Sequence, residues 1–403
     1  MRIIFLLCLI GTVQLYVIGQ LRLRLPGWIQ DEQLRNRLLV LFTWVCVATL
    51  VPLLWRENPR LNATTLEWRD TLFLLSGMWW AGTAGCAVVL FAYSAFNRMM
   101  RLVSSPEPAQ PPDLQRRAFL QKSVGVAAVA PFMISGYGGL LERRRFEIEH
   151  FEVPVSGLSS SLSQLTIVQL SDIHVGPFMS AEELNEYIDA VNRLKPDLVA
   201  LTGDFVTGSR SEVLPCVQTL RRLQARLGVF ACLGNHDIYA GAAGDLILGL
   251  ANSGIRMLRN DAATIDVGNS TVGVLGIDDL GRGRPSLRRT IDARHRPAEV
   301  NVLLSHRPEI FPRAANEGVD LVLSGHYHGG QIKLLPEPQA LSIARFMTSY
   351  ADGFFTLPRS ESGDATRTRS TLFVSRGIGV TALPVRVNCP PQIAHLTLRK
   401  DKG

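Results

Sequence analysis

Four stretches within the first 141 residues contain no charged side chain: 3–21, 38–55, 71–97 and 123–141. Each is near the roughly 20 apolar residues that cross the hydrocarbon core of a bilayer. The region is therefore expected to be a set of membrane-spanning helices. Trp28, Trp55 and Trp68 flank these stretches as interfacial aromatics do. All six Trp of the chain lie in its first 80 residues, so composition changes sharply along the sequence.

Charge changes with it. Residues 1–145 carry 16 Lys and Arg against 8 Asp and Glu, whereas residues 146–403 carry 26 against 27. The positive excess belongs to the first part, which argues against nucleic acid as a partner of the second. Three parts are expected: a three-helix anchor over 1–103, a linker with a fourth apolar helix over 104–145, and a separate domain over 146–403. The six cysteines show no CxxC spacing and read as small buried hydrophobes.

The fourth apolar stretch is Gly- and Ala-rich and follows QRRAFLQK. Arg116 and Arg117 with Phe119, Leu120 and Lys122 resemble a twin-arginine signal, which would engage twin-arginine export machinery. The alternative is a basic stop before an ordinary helix. The segment 104–113, SSPEPAQPPD, reads as a Pro-rich linker. Placing 20–37 and 98–122 in the cytoplasm puts nine Lys and Arg inside and seven outside. That bias is small, but it agrees with the paired arginines being cytoplasmic and the second part periplasmic, across a bacterial inner membrane spanned several times.

From residue 148 onward short apolar runs end in polar clusters. The runs 165–170, 197–202, 228–233, 299–304 and 319–323 precede SDIHVG, GDFVTG, GNHDIY, SHRPE and SGHYHGGQ. Runs this short and rich in Val, Ile and Leu read as buried strands, with helices expected over 180–195 and 212–227. Alternating strands and helices give an α/β layered domain whose ligands gather beyond the carboxyl ends of strands. Asp172, His174, Asp204, Asn235, His236, Asp237, His306, His326 and His328 would all stand on that rim. Asp-x-His in extended backbone puts both side chains on one side, and His326 and His328 share this spacing. Gly329 and Gly330 allow positive φ. Carboxylate, imidazole and amide donors together suit Mn, Fe or Zn better than calcium.

These motifs resemble the calcineurin-like metallophosphoesterases, over roughly residues 160–395. The membrane-anchored layout and the tail VSRGIGVTALPVRVNCPPQI are similar to the bacterial transmembrane branch of that family. The resemblance implies a layered sandwich of β-sheets flanked by helices and two divalent metal ions. Asp172, His174 and His328 would hold one ion, Asn235, His306 and His326 the other, and Asp204 would bridge them through its two oxygens. Two such ions bind a phosphoryl group and a bridging water whose pKa they lower, giving a metal-activated hydroxide. His236 would protonate the leaving oxygen or stabilise phosphoryl charge, and Asp237 would orient His236 or neighbouring ligands. Tyr327 stands where the family often has a small residue, which bears on the pocket rim alone.

The implied activity is hydrolysis of phosphodiester or pyrophosphate bonds in a phosphorylated substrate, and the anchor suggests a lipid-linked one. Some members of the branch hydrolyse UDP-diacylglucosamine in lipid A biosynthesis, a cytoplasmic substrate at odds with a periplasmic site. A phosphomonoesterase or phosphoprotein phosphatase, and an inactive metal-binding membrane sensor, are the alternatives. Residues 282–296, with six Arg, read as solvated surface, or else as a contact for anionic headgroups or substrate phosphates. Residues 340–355 read as core packing, with an apolar flap that admits a lipid tail as the alternative. Residues 359–370 read as an exposed loop, and Asp278 and Asp279 as rim residues outside the ligand set.

Overall fold

A computed structural model describes residues 2–56, 67–103, 114–359 and 368–401. The chain divides into two compact units, Met1–Leu141 with Ala382–Val385, and Glu142–Thr381 with Arg386–Gly403. The linker 104–113 lies outside the described residues. So do most of 359–370 and the side chains of Trp55, Trp68, Arg116 and Arg117.

The first unit is helical. By length and composition, Ile4–Trp28, Glu32–Leu53, Arg69–Val103 and Phe119–Arg144 can each cross a membrane. Their outward faces are apolar: Phe5, Leu15, Val40, Trp44, Val88 and Met133 are all exposed. Water would penalise such a surface and lipid does not. Small residues let two of these helices, Glu67–Val103 and Leu114–Leu140, approach closely. A Cβ on Gly82 would overlap the Phe132 ring, and one on Gly85 would overlap Pro131. Ser135 Oγ donates to the Met78 carbonyl at 2.6 Å across this seam.

The second unit is a sandwich of two six-stranded mixed sheets flanked by helices, the α/β layered architecture expected. The first sheet has the order β1 (Glu147–Val155), β12 (Gln392–Lys400), β2 (Thr166–Leu170), β3 (Leu198–Thr202), β4 (Gly228–Cys232), β5 (Ile255–Met257). The second has β10 (Gly353–Pro358), β11 (Arg369–Val374), β9 (Leu321–Ser324), β8 (Val300–Leu304), β7 (Ser270–Gly276), β6 (Asp261–Val267). Strands β2 to β5 run parallel, as do β7, β8, β9 and β11.

Side-chain alternation explains why the apolar runs are continuous. Leu198 and Ala200 face the second sheet with Val272, Val302 and Leu323, while Val199 and Leu201 face the helices Ala181–Leu194, Val213–Leu220 and Ala243–Asn252. Leu303 and Val322 face the opposite helical layer with Leu287, Phe311 and Ala314. Both faces of each central strand are therefore buried, which requires apolar residues at every position. The helix expected over 212–227 spans only Val213–Leu220. Beyond it, Arg226 N and Leu227 N are bonded to the carbonyls of Pro196 and Asp197, which draws the chain toward β4.

Candidate metal centre

Five strands end at the same rim, three from one sheet and two from the other. Gln169 Nε2 at the end of β2 donates to the Ser324 carbonyl at 2.9 Å, and Gly325 N donates to the His306 carbonyl at 3.0 Å. The loops after β2, β3, β4, β8 and β9 thereby converge. They bring together Asp172, His174 and His328 as one group, and Asp204, His306 and His326 as another. His236 forms a third group with His174 and Asp204. Asn235 Oδ1 is 3.2 Å from His306 Nε2 and so borders the second group.

Asp-x-His does not work through extended backbone here. Asp172, His174, Asp204, His326 and His328 have φ of 53°, 53°, 55°, 77° and 51°, all left-handed. Residues with a Cβ rarely adopt this region, at a cost of order 1–3 kcal/mol each. Left-handed backbone at alternate positions makes the chain leave β2 and β9 in a tight coil whose side chains point inward. Gly329 and Gly330, at φ 59° and 84°, complete the turn carrying His328 as expected. Two other glycines are needed for close approach: a Cβ on Gly234 would overlap the Asp204 carboxylate, and one on Gly325 would overlap Ser171 and Asp172.

Within the groups, donor atoms face one another at short range. His174 Nε2 and His328 Nε2 are 3.2 Å apart, and His328 Nε2 is 3.3 Å from Asp172 Oδ1. His306 Nε2 is 3.2 Å from Asp204 Oδ2 and 3.1 Å from His326 Nδ1. His306 Nδ1 is bonded to the Thr202 carbonyl at 2.9 Å, so Nδ1 carries a proton and Nε2 is the atom turned to the other donors. Spacings of 3.1–3.5 Å are those of donors each about 2.0–2.2 Å from a common ion. The Nδ1 atoms of His174 and His328 are buried and have no hydrogen-bond partner among the described residues. The donor set fits divalent cations.

The bridge differs from the expected one. Asp204 Oδ1 accepts from His236 N at 2.8 Å, and Oδ2 alone faces both groups, 3.5 Å from His174 Nε2 and 3.2 Å from His306 Nε2. One oxygen, not two, lies between them. Electrostatics follow from burial. Burial pushes the Asp172 carboxyl up to about 6, reinforced by the Asp204 charge and opposed by His306. Burial would also raise Asp204, but His306 and His174 hold it well below the carboxylate range. Burial would depress His306, yet Asp204 and Asp172 outweigh it and lift the imidazole to about 10. Burial pushes His174 down to about 3, and burial with His306 pushes His326 down to about 2. Three imidazoles, His174, His326 and His328, are thus held neutral with lone pairs to offer, while His306 keeps a proton that an ion would displace.

His236 and Asp237 are adjacent in sequence and separate in role. His236 Nδ1 is bonded to the Thr207 carbonyl at 2.6 Å, leaving Nε2 toward the centre, and the ring stands edge-on to His174 at 4.7 Å. The Asp237 carboxylate is fully buried and turned away from that ring. Its Oδ2 accepts from Gly234 N at 2.8 Å and Asp204 N at 3.1 Å, and its Oδ1 from Phe205 N at 2.8 Å and Val206 N at 3.3 Å. It holds the loop that carries Asp204 and makes no bond to His236; of the two expected targets, it serves the neighbouring ligand.

Four further residues shape the site that the sequence alone did not single out. Thr207 fixes His236. Arg307, directly after His306, reaches Asn235 Oδ1 at 3.4 Å and is held by Asp279 Oδ1 at 3.1 Å. Tyr239 stacks under Arg282, 4.5 Å from ring centroid to guanidinium. Arg386 is fully buried and donates to the carbonyls of Cys389, Arg376, Gly377 and Gly379. That segment in turn bonds the Asp172 loop through Ile378 N to Ser171 O and Gly379 N to Asp172 O. The tail VSRGIG is thus a brace for Asp172. Position next to a ligand was the available signal for Arg307; nothing local marks Arg386. Elsewhere in 282–296, Arg288 pairs with Asp292, Arg294 with Asn301 and Arg296 with Asp266, as solvated surface does.

Comparison with known proteins agrees with this geometry. The model of the calcineurin-like phosphoesterase family matches residues 165–330. An uncharacterized metallophosphoesterase of Bacillus subtilis, YkuE, is 30% identical over 297 residues, covering 71% of this chain and 98% of its own. One from Aquifex aeolicus is 31% identical over 268 residues, 65% of this chain and 95% of its own. A transmembrane protein with metallophosphoesterase domain from Danio rerio is 27% identical over 325 residues, 77% of this chain and 70% of its own.

Proposed function

Since this chain belongs to the calcineurin-like metallophosphoesterase family, we propose that it is a membrane-anchored hydrolase of phosphodiester or pyrophosphate bonds. The observation that carries the reading is Asp204 Oδ2, which lies between two groups of ligand atoms. Asp172, His174 and His328 would hold one divalent ion, and Asn235, His306 and His326 the other, with Asp204 shared. When bound, the ions would neutralise the phosphoryl group and lower the pKa of attacking water.

The remaining chemistry belongs to the chain. His236 is the candidate proton donor to the leaving oxygen: Thr207 holds its Nδ1–H, so in the imidazolium form the proton on Nε2 is the one given up, leaving the neutral ring. Asp237 positions Asp204. Arg307, tied to Asp279, adds a cation beside Asn235 where a second anionic group of the substrate would lie. An intact ligand set with His236 present favours an enzyme over an inactive sensor.

The decisive assay uses the full chain in detergent, loaded with Mn²⁺, on an aryl phosphodiester and an aryl phosphomonoester. Metal-dependent diester turnover that falls ~10²-fold or more in His236→Ala, with metal content unchanged, is expected. Turnover of the monoester alone would replace this reading with a phosphatase. No turnover of either with two ions bound would favour the sensor.

For sidedness, the nine-to-seven distribution of Lys and Arg and the paired Arg116 and Arg117 support a periplasmic catalytic unit in a bacterial inner membrane. A C-terminal alkaline phosphatase fusion should be active and a fluorescent-protein fusion dark; the reverse result inverts the topology and restores a cytoplasmic UDP-linked lipid as the substrate class.

A further inference from the structure

The stretch 340–355, expected as core packing with an apolar flap as the alternative, divides: Ala351, Phe354 and Phe355 pack into the core, while 341–347 presents its large apolar side chains to solvent. Leu334, Leu335, Leu341, Ile343, Phe346 and Met347 are 56% to 81% exposed. They form one platform, because Leu334 N donates to the Leu341 carbonyl at 2.9 Å and Lys333 is bridged to Ser342. Its backbone is pinned from beneath. Lys333 is buried and paired with the buried Asp352, Lys333 N donates to the Val387 carbonyl at 2.9 Å, and Asn388 Nδ2 donates to the Leu334 carbonyl at 3.2 Å. A platform braced by a buried ion pair is a built surface. Monomeric proteins rarely leave contiguous apolar patches beyond a few hundred Å² facing water.

The platform continues from the loop that carries His326 and His328. A Cβ on Gly330 would overlap Ser342, and Tyr327 Oη and Thr348 Oγ1 both donate to Glu309 Oε1, at 2.6 and 3.0 Å. Whatever covers the platform therefore borders the mouth of the metal centre. The helix Leu114–Leu140 precedes β1, which starts at Glu147, by six residues. Six residues reach at most roughly 20 Å. This unit is consequently tethered at a bilayer surface, the one apolar phase always within reach.

We propose that this platform is a membrane-docking surface. Its six apolar side chains seat in the interfacial layer of the bilayer and hold the mouth beside His326 and His328 against the lipid headgroups. Bulky apolar groups on a rigid edge, with Arg345 exposed among them, suit the boundary between headgroups and acyl chains. The substrate class that follows is a phosphoester borne by a lipid; that extension rests on the phosphohydrolase reading, whereas the docking does not.

The test uses the full chain with Cys8→Ser, since Cys46, Cys86, Cys216, Cys232 and Cys389 are buried. Nitroxide labels are placed singly at Leu341→Cys, Phe346→Cys and, as control, Leu248→Cys, which is 67% exposed on the helix Ala243–Asn252. In nanodiscs of phosphatidylethanolamine and phosphatidylglycerol, labels at 341 and 346 should collide with oxygen in preference to a polar nickel chelate, and the label at 248 should show the reverse. Nickel access at 346 equal to that at 248 overturns the proposal. So does shielding from both reagents with dipolar broadening, which would assign the platform to a second copy. In parallel, Phe346→Glu with Met347→Glu should lower turnover of a vesicle-borne lipid phosphodiester by roughly tenfold or more and leave a water-soluble aryl diester unchanged. Equal loss on both substrates overturns the docking role. Absence of turnover by the unaltered, metal-loaded protein would defeat the hydrolase reading alone, while the collision measurement still decides the docking.

Discussion

Replacing Asp237 by Asn tests whether this carboxylate supports structure or chemistry. The substitution keeps the shape and changes one acceptor oxygen into a donor NH2. Each oxygen of Asp237 now receives two backbone N–H groups: Gly234 and Asp204 on Oδ2, Phe205 and Val206 on Oδ1. Whichever oxygen becomes nitrogen, two buried N–H groups lose their acceptor. An unsatisfied buried donor costs about 1–3 kcal/mol, so the variant should lose about 2–6 kcal/mol. For a unit of this size that lowers the melting temperature by roughly 4–24 °C. The reporter is a thiol-reactive dye on a background with Cys8, Cys46 and Cys86 replaced by Ser. Cys216, Cys232 and Cys389 are then the remaining thiols, all fully buried in the sandwich unit. Because Asp204 rides on the disturbed loop, metal affinity should fall with stability. A variant that melts within about 2 °C of the parent and binds metal normally, yet has no turnover, would refute the argument and make Asp237 a participant in the reaction.

Gly234→Ala should keep the fold of the sheets and lose metal, because its Cβ would occupy the place of the Asp204 carboxylate; metal content of the purified variant by mass spectrometry checks this. Arg386→Ala takes the guanidinium donor away from four buried carbonyls and should destabilise the protein by about 3 kcal/mol or more, at about 1–3 kcal/mol for each acceptor left unsatisfied, read by denaturant unfolding; a cost under about 1 kcal/mol would refute its role as brace. Proton and metal compete at His306, whose pKa is lifted to about 10 by Asp204 and Asp172 against the effect of burial. The proton must leave before the ion binds, so affinity for Mn²⁺ should rise with pH from 6 to 9, by at most about tenfold per unit for one proton. Chelator competition measures it, and a pH-independent affinity would contradict the assignment.

Local chemistry was enough to read much of this protein. A charge-free stretch of about 20 residues has few fates besides a membrane-spanning helix, and the four found became the four long apolar helices. Strands β2, β3, β4, β8 and β9 follow from apolar runs too short for helices, each closed by a polar turn. The ligand-type residues were visible because Asp, Asn and His stood immediately after those runs.

Long-range packing decided the rest. Nothing in the sequence says that β2 to β4 and β8 to β9 belong to different sheets whose carboxyl ends meet, since each set pairs with near neighbours while the sheets meet through residues far apart in the chain, such as Gln169 and Ser324. Left-handed φ at five site residues arises because converging loops force it against local preference. The orientation of Asp237 toward backbone amides, and the sharing of Asp204 through a single oxygen, are side-chain rotations without a sequence signature. The surface at 341–347 carries the composition of a core segment, and composition is the same whether such residues face a core or face outward. Sequence determined which groups stand at the rim; tertiary structure determined what each of them touches.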